Sequence, residues 1–93
     1  MIYKNNGYTA LYPDWTDERE TLYQSIYITL KEKNYEYETE KGNSILKWYN
    51  IPFDEAIKYA NDLRKNKIIA YLTTHDKHRF IFEMKRLTIP TQL

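Results

Sequence analysis

The chain has no cysteine, only two glycines and only three prolines among its 93 residues. Without cysteine it can form no disulfide, no thiolate metal site and no cysteine nucleophile, which excludes zinc ribbons and disulfide-stapled secreted folds. No apolar run approaches the ~18 residues of a membrane span, and Met1–Gly7 lacks the apolar segment of a signal peptide. We therefore expect a cytoplasmic protein that contacts no membrane.

Tyrosine, in contrast, is abundant, with ten copies in the chain. A composition of 42% hydrophobic and 29% charged residues is that of an ordinary globular protein. The length suits a single domain, residues 1–93, because a second core would not fit. Tyrosine packs like a hydrophobic residue yet keeps a hydroxyl group, so it is enriched at interfaces.

The first third of the chain contains one turn signal and one ambiguous segment. Asn6-Gly7 predicts a hairpin turn between Met1–Lys4 and Tyr8–Tyr12. Residues 17–33 fit an amphipathic helix, with Thr16 or Asp17 as the cap and Glu20 completing a capping box. The β-branched and aromatic content of residues 21–30 also fits a strand. We expect the helix, because the charges at both ends complement its dipole.

The remainder divides into strands and one amphipathic helix. Residues 35–40 alternate tyrosine or threonine with glutamate, which predicts a half-exposed strand. Residues 44–51 predict a central strand that is apolar on both faces, with Trp48 in the core.

Residues 52–66 predict a helix with Phe53 in its buried stripe and Asn66 as the left-handed residue that ends it. Residues 68–74 with 79–87 predict a C-terminal hairpin, with Phe82, Met84 and Leu87 on a buried face. The predicted fold class is α+β, with a small antiparallel sheet of about four to six strands and one or two helices packed on one face.

Charge is distributed unevenly, although the formal net charge is only +1. Residues 14–40 contain eight acidic and three basic residues, whereas residues 41–93 contain five acidic and ten basic residues. Such asymmetry bears on the choice of partner. The acidic half predicts a surface that binds another protein, comprising Asp14, Trp15, Asp17, Glu18, Glu20, Tyr35, Glu36, Tyr37, Glu38 and Glu40.

The basic half supports an alternative, the binding of nucleic acid. Lys77, Arg79, Lys85 and Arg86 lie on or beside the C-terminal hairpin, interleaved with Phe80 and Phe82. Cations with aromatic rings are typical of proteins that bind single strands through phosphate contacts and base stacking. Salt-sensitive binding to single-stranded DNA or RNA would be the signature of this function.

A second alternative is a small metal-dependent nuclease. Histidine and aspartate side chains bind metal ions in many proteins, and the chain has His75, Asp76 and His78 close together in sequence. However, neighbouring side chains in a tight loop point in different directions. Glu83-Met84-Lys85 is similar to the E-x-K half of PD-(D/E)-x-K nucleases. However, residues 68–74 lack the acidic residue that this pattern requires. We therefore expect no catalytic residue, no metal and no cofactor.

The sequence thus predicts a small non-enzymatic binding protein. The short chain, rich in tyrosine, lysine, asparagine and isoleucine, is typical of an accessory reading frame of a virus or mobile element. The concrete form of this expectation is an anti-CRISPR or anti-restriction inhibitor that occludes a nucleic-acid-processing complex of a host. An exposed strand edge would also permit a homodimer.

Overall fold

The computed structural model describes residues 15–42, 44–74 and 79–88. These residues form two helices and four strands. In chain order the elements are α1 (Asp17–Glu32), β1 (Tyr37–Glu40), β2 (Ile45–Pro52), α2 (Phe53–Lys65), β3 (Ile68–Thr74) and β4 (Arg79–Thr88). The four strands form one antiparallel sheet and the helices pack on it, which confirms the predicted α+β class. The predicted hairpin of residues 1–4 and 8–12 lies outside the described residues.

Helix α1 resolves the ambiguity of residues 17–33 in favour of the predicted helix. Thr16 is its N-cap, and the Thr16 hydroxyl accepts a hydrogen bond of 3.2 Å from the amide of Arg19. Glu20 does not complete a capping box, because its carboxylate binds side chains of the core instead. Tyr23, Ile26 and Leu30 form the buried side of the helix.

The strand order across the sheet is β1-β2-β4-β3. Strand β2 is central, as predicted, and its pairing with β4 is interrupted by a register shift between Trp48 and Ile51. Because β4 lies between β2 and β3, the connection through α2 joins two strands that are not neighbours. Strands β1 and β3 are therefore the two edges of the sheet.

Helix α2 begins after Pro52 and ends at Lys65, close to the predicted bounds. Asn66 was expected to adopt the left-handed conformation that stops the helix, but this prediction is wrong. Asn66 has a φ of −99° and uses its side chain to donate a hydrogen bond to the carbonyl of Asp62. Lys67 has the positive φ instead, at 64°.

The core lies between the sheet and the two helices. Trp48, predicted to be a core residue, is completely buried, as are Phe82 and Met84 of β4. Two expectations about buried residues are wrong. Leu87 is 39% exposed because strand alternation places Arg86, and not Leu87, on the face with Phe82 and Met84. Phe53 is 45% exposed at the start of α2, where it packs against Phe80.

Candidate functional site

The acidic residues of the first half lie along helix α1 and strand β1. The phenol rings of Tyr27 and Tyr37 join these two elements, with ring centroids 5.8 Å apart and hydroxyl groups 3.3 Å apart. Helix α1 therefore packs on the Tyr37 side of β1. We call the exposed acids of the two elements the acidic surface, which has two parts: Asp17, Glu18 and Glu32 on α1, and Glu36, Glu38 and Glu40 on the β1 segment.

The glutamates of the β1 segment keep their carboxylates at the surface. The amide of Tyr49 donates a 2.9 Å hydrogen bond to the carbonyl of Glu36, so pairing with β2 begins before the first residue of β1. Alternation then places Glu36, Glu38 and Glu40 on the side of the segment opposite Tyr37. This is the row that the sequence predicted.

Two of these three glutamates have an intramolecular partner. Glu40 forms a 2.7 Å ion pair with Lys47, and their hydrogen bond and charge attraction lower the pKa of Glu40. Glu38 accepts a hydrogen bond from the Tyr49 hydroxyl, which raises the pKa of Tyr49. Even so, the side chain of Glu40 remains 46% exposed. Exposed pairs of this kind contribute little to stability, so a cation of the partner can take the place of Lys47 beside Glu40.

A shallow hollow of about 320 Å³ lies beside this row. It is next to the register shift of β2, where Asn50 adopts a φ of 58°. Two glutamates, two tyrosines and one asparagine line it, namely Glu36, Glu38, Tyr37, Tyr49 and Asn50. Carboxylates and aromatic rings together suit a lysine or arginine side chain. Sequence reasoning missed Tyr49 and Asn50, because it did not predict the register of β1 against β2, which places Tyr49 opposite Glu36.

Trp15 and Glu20 belong to the interior, so they cannot form part of an exposed contact surface. Trp15 is 2% exposed, and its indole nitrogen donates a 2.8 Å hydrogen bond to Glu20. Arg86, 3% exposed, holds both carboxylate oxygens of Glu20 at 2.9 and 3.1 Å. Burial alone would raise the pKa of Glu20, but hydrogen bonds from Arg86, Gln24 and Trp15 hold it below its ordinary value.

The predicted tyrosines of the contact surface are packed mainly against the core. The ring of Tyr37 lies 4.6 Å from that of Trp48, between centroids. The hydroxyl of Tyr35 donates a 2.6 Å hydrogen bond to Glu55 of α2. Both tyrosines are half-buried and lie on the helix side of the sheet. The surface that remains for a partner is therefore more acidic than aromatic. Asp14, the first residue predicted for this surface, lies outside the described residues.

The structure describes two of the four predicted nucleic-acid-binding side chains, Lys85 and Arg86, and these two do not lie in one patch. Lys85 and Arg86 are neighbours on β4 and therefore point to opposite faces of the sheet. Lys85 lies 3.5 Å from Glu83 and 5.2 Å from the centre of the Tyr71 ring, whereas Arg86 is buried against Glu20. Lys77 lies outside the described residues, as does the side chain of Arg79.

The structure describes only part of the residues considered for metal-dependent chemistry. His75, Asp76 and His78 lie outside the described residues. Within residues 15–42, 44–74 and 79–88, no three histidine or acidic side chains lie close enough together to hold a metal ion. In the same ranges, no helix is both long enough and apolar enough to cross a membrane.

Comparison with known proteins identifies no relative. No protein-family model matches the chain, and neither does any curated protein or any solved structure. The function must therefore be inferred from the geometry of the chain itself.

Proposed function

We propose that this protein is a non-enzymatic binding protein that occludes another macromolecule through its acidic surface. The observation that carries the proposal is the row Glu36, Glu38 and Glu40 on an edge of the sheet. Among the described residues, only Glu40 of this row forms an ion pair. Successive carboxylates of the row stand roughly 6.6–7 Å apart, the rise of two strand residues. The row thus offers negative charges in a fixed, nearly linear order.

A partner with a basic groove fits this arrangement best. Complementary charge steers two proteins together and fixes their register more than it adds affinity. Proteins that process nucleic acid provide such grooves, because they bind phosphates with lysine and arginine. An inhibitor of a host defence nuclease, of the anti-CRISPR or anti-restriction type, is the concrete form of the proposal. The acidic row would then occupy sites that otherwise bind phosphates.

Charge reversal on β1, compared with charge reversal elsewhere, tests this function. Glu36→Lys/Glu38→Lys changes the net charge by +4 on the acidic surface without removing the Glu40–Lys47 pair. Asp54→Lys/Asp62→Lys makes the same change on α2 and is the matched control. Each purified variant would serve as bait in a nuclease-treated extract of the organism that encodes the chain, with mass spectrometry to quantify the bound protein.

We expect the wild-type chain and the control variant to retain one partner in similar amounts, and the β1 variant to lose about 90% of it. Such a loss corresponds to roughly 1.4 kcal/mol of binding free energy. Equal retention by the two variants would contradict the acidic-row mechanism. A partner that is captured from an untreated extract but not from the nuclease-treated one would also contradict it.

A further inference from the structure

Strand β3 forms the edge of the sheet opposite β1, and its pairing shows which backbone groups are open to a partner. The amide of Arg86 donates a 2.8 Å hydrogen bond to the carbonyl of Ser44, so the backbone groups of Arg86 point toward β2. Successive residues of an antiparallel strand point these groups to alternate sides, so Glu83 points its own toward β3. Tyr71, the partner of Glu83, therefore bonds into the sheet.

Every second residue of β3 consequently presents its backbone at the free edge. Ala70, Leu72 and Thr74 alternate with Tyr71 and Thr73, so their N–H and C=O groups point away from β4. Within residues 15–42, 44–74 and 79–88, no strand lies beyond β3. The edge of β3 is thus able to accept one more strand, which is one way in which extended segments of partner proteins bind to sheets.

Arg64, in the last turn of α2, occupies this edge at one position. Its Nε and Nη2 donate hydrogen bonds of 3.1 and 2.8 Å to the carbonyl of Ala70, which agrees with the outward direction of that carbonyl. A guanidinium has five N–H donors, so these two bonds leave donors for a further acceptor. An added strand would end its regular pairing at Ala70, because Arg64 already holds the carbonyl that the next amide would need.

The edge itself is uncharged, and cations stand at the end where β3 begins. Residues 68–74 contain no charged residue, whereas the segment just before them contains Arg64, Lys65 and Lys67 against one acid, Asp62. The side chains of these three basic residues are exposed. A strand that carries an anion at this end is therefore complementary to the edge.

Acids of other elements have their own partners near this end. Glu83 lies 3.5 Å from Lys85 in an ion pair. Asp17 and Glu18 of α1 line a hollow with Asn66, whose carbonyl accepts a 2.8 Å hydrogen bond from Arg19. In the part of the chain that the structure describes, none of the ion pairs includes Arg64.

We infer that the edge of β3 binds the C-terminal segment of another protein as an added antiparallel strand, with its terminal carboxylate at Arg64. An antiparallel segment reaches Ala70 with its C-terminal end, because β3 begins there. The carboxylate accepts hydrogen bonds from the Ala70 amide and from the Arg64 guanidinium, and the second of these is charge-assisted. The residue before it lies opposite Tyr71, which is 45% exposed and favours a β-branched neighbour.

A second copy of β3 does not meet these requirements, because residues 68–74 contain no carboxylate to place beside Arg64. A parallel segment would bring its N-terminal ammonium group to the same cation. The inference goes beyond the proposed function, since β3 and the glutamate row lie on opposite edges of the sheet. A protein bound at the row leaves β3 open.

A protective role is the alternative for Arg64, because a residue that takes one acceptor of an edge strand also hinders the addition of a strand. A protective residue lowers the affinity of the edge for an extended segment. A residue that holds the terminal carboxylate raises that affinity. The two roles therefore predict opposite effects when Arg64 is replaced.

Two peptides that differ in a single group test the inference. Both are short acetylated chains of alternating threonine and valine, one ending in a free carboxylate and the other in a carboxamide. Each is titrated into ¹⁵N-labelled protein, and the amide chemical shifts report both the site and the affinity. Arg64→Met is compared with Lys65→Met, which removes the same charge from the same helical turn.

We expect the carboxylate peptide to shift the amides of Ala70, Leu72 and Thr74 and to bind about tenfold more tightly than the carboxamide. Arg64→Met should abolish this preference, whereas Lys65→Met should keep it. Methionine favours a helix about as well as arginine does, so Arg64→Met should remain folded by circular dichroism.

Proline at an outward position tests the strand pairing without removing a core side chain. Thr74→Pro deletes an N–H that points out of β3, and the Thr74 side chain is exposed. Thr39→Pro is the matched change on β1, where the bond from the Tyr49 amide to the Glu36 carbonyl shows that Thr39 points outward. We expect Thr74→Pro to weaken both peptides about fivefold and Thr39→Pro to leave both within about twofold.

Four results would overturn the inference. The first is that the wild type binds neither peptide or binds both equally, and the second is tighter binding after Arg64→Met, the effect of a protective residue. The third is a set of shifts confined to β1. The fourth is association of the wild type without peptide that Thr74→Pro prevents, since a second copy would then occupy the edge. The charge-reversal experiment is independent of these outcomes, because it changes the opposite edge of the sheet.

Discussion

At the scale of single residues, the main finding is that acidic side chains close in sequence have different roles. Glu18 remains at the surface, whereas Glu20 is held by Arg86 in the interior. The two partners are 66 positions apart in the chain. Charge counts cannot distinguish Glu18 from Glu20, because burial depends on which side chains the fold brings together. The sequence predicted Trp48 in the core because its strand is apolar on both faces.

Removing one partner of the Glu20–Arg86 pair should destabilise the protein strongly. Arg86→Met leaves the Glu20 carboxylate, only 14% exposed, without its guanidinium. We expect a loss of about 3 kcal/mol in the free energy of unfolding, measured by urea denaturation, as for other broken buried pairs. Glu20→Met/Arg86→Met should recover most of this loss, since no charge is then left unpaired.

The exposed pair of Glu40 and Lys47 provides the control for this prediction. Lys47→Met removes one partner from a pair whose side chains are 46% and 30% exposed. Its urea midpoint should stay much closer to that of the wild type, because water solvates the remaining carboxylate. If Lys47→Met and Arg86→Met destabilise the protein equally, then burial of the Glu20–Arg86 pair has no special role.

At the scale of elements, periodicity predicted both helices and all four described strands. Alternation identified β1, and the apolar stripe of α2 identified its buried side. The sequence did not predict the departures from these regular patterns. The register shift of β2 and the exposure of Phe53 arise from contacts between elements, which a local pattern does not contain. The exposed Ile28 was counted only in the strand alternative for residues 17–33, although helical spacing would have shown it opposite Ile26.

The end of α2 provides a test at this scale. Lys67 has a φ of 64°, a conformation that glycine adopts without the clash of a Cβ atom. Lys67→Gly should raise the free energy of unfolding by roughly 0.5–1 kcal/mol, since relief of strain exceeds the added entropy of the unfolded chain. Lys65→Gly, inside the helix, should lower it by up to about 1 kcal/mol. Thermal unfolding of both variants measures the difference, and changes of the same sign would contradict the assigned helix end.

At the scale of the whole molecule, the sheet order separates the two edges. Strand β1 lies at one edge beside α1, and β3 lies at the other edge, where α2 packs. The exposed acids of the first half thus lie on α1 and on the β1 edge, with the glutamate row on the face of the sheet turned away from α1. Of the residues predicted to bind nucleic acid, Arg86 is buried and Lys85 lies beside Glu83. Sequence order could not reveal this difference, since it depends on the alternation of β4.

The most direct measurement of the central claim is hydrogen–deuterium exchange of the chain, alone and bound to the partner that it captures. Exchange slows where a partner excludes water or stabilises a segment. We predict slower exchange of α1 and β1 in the complex, with β3 unchanged. Slower exchange confined to β3 and the end of α2, with α1 and β1 unchanged, would contradict it.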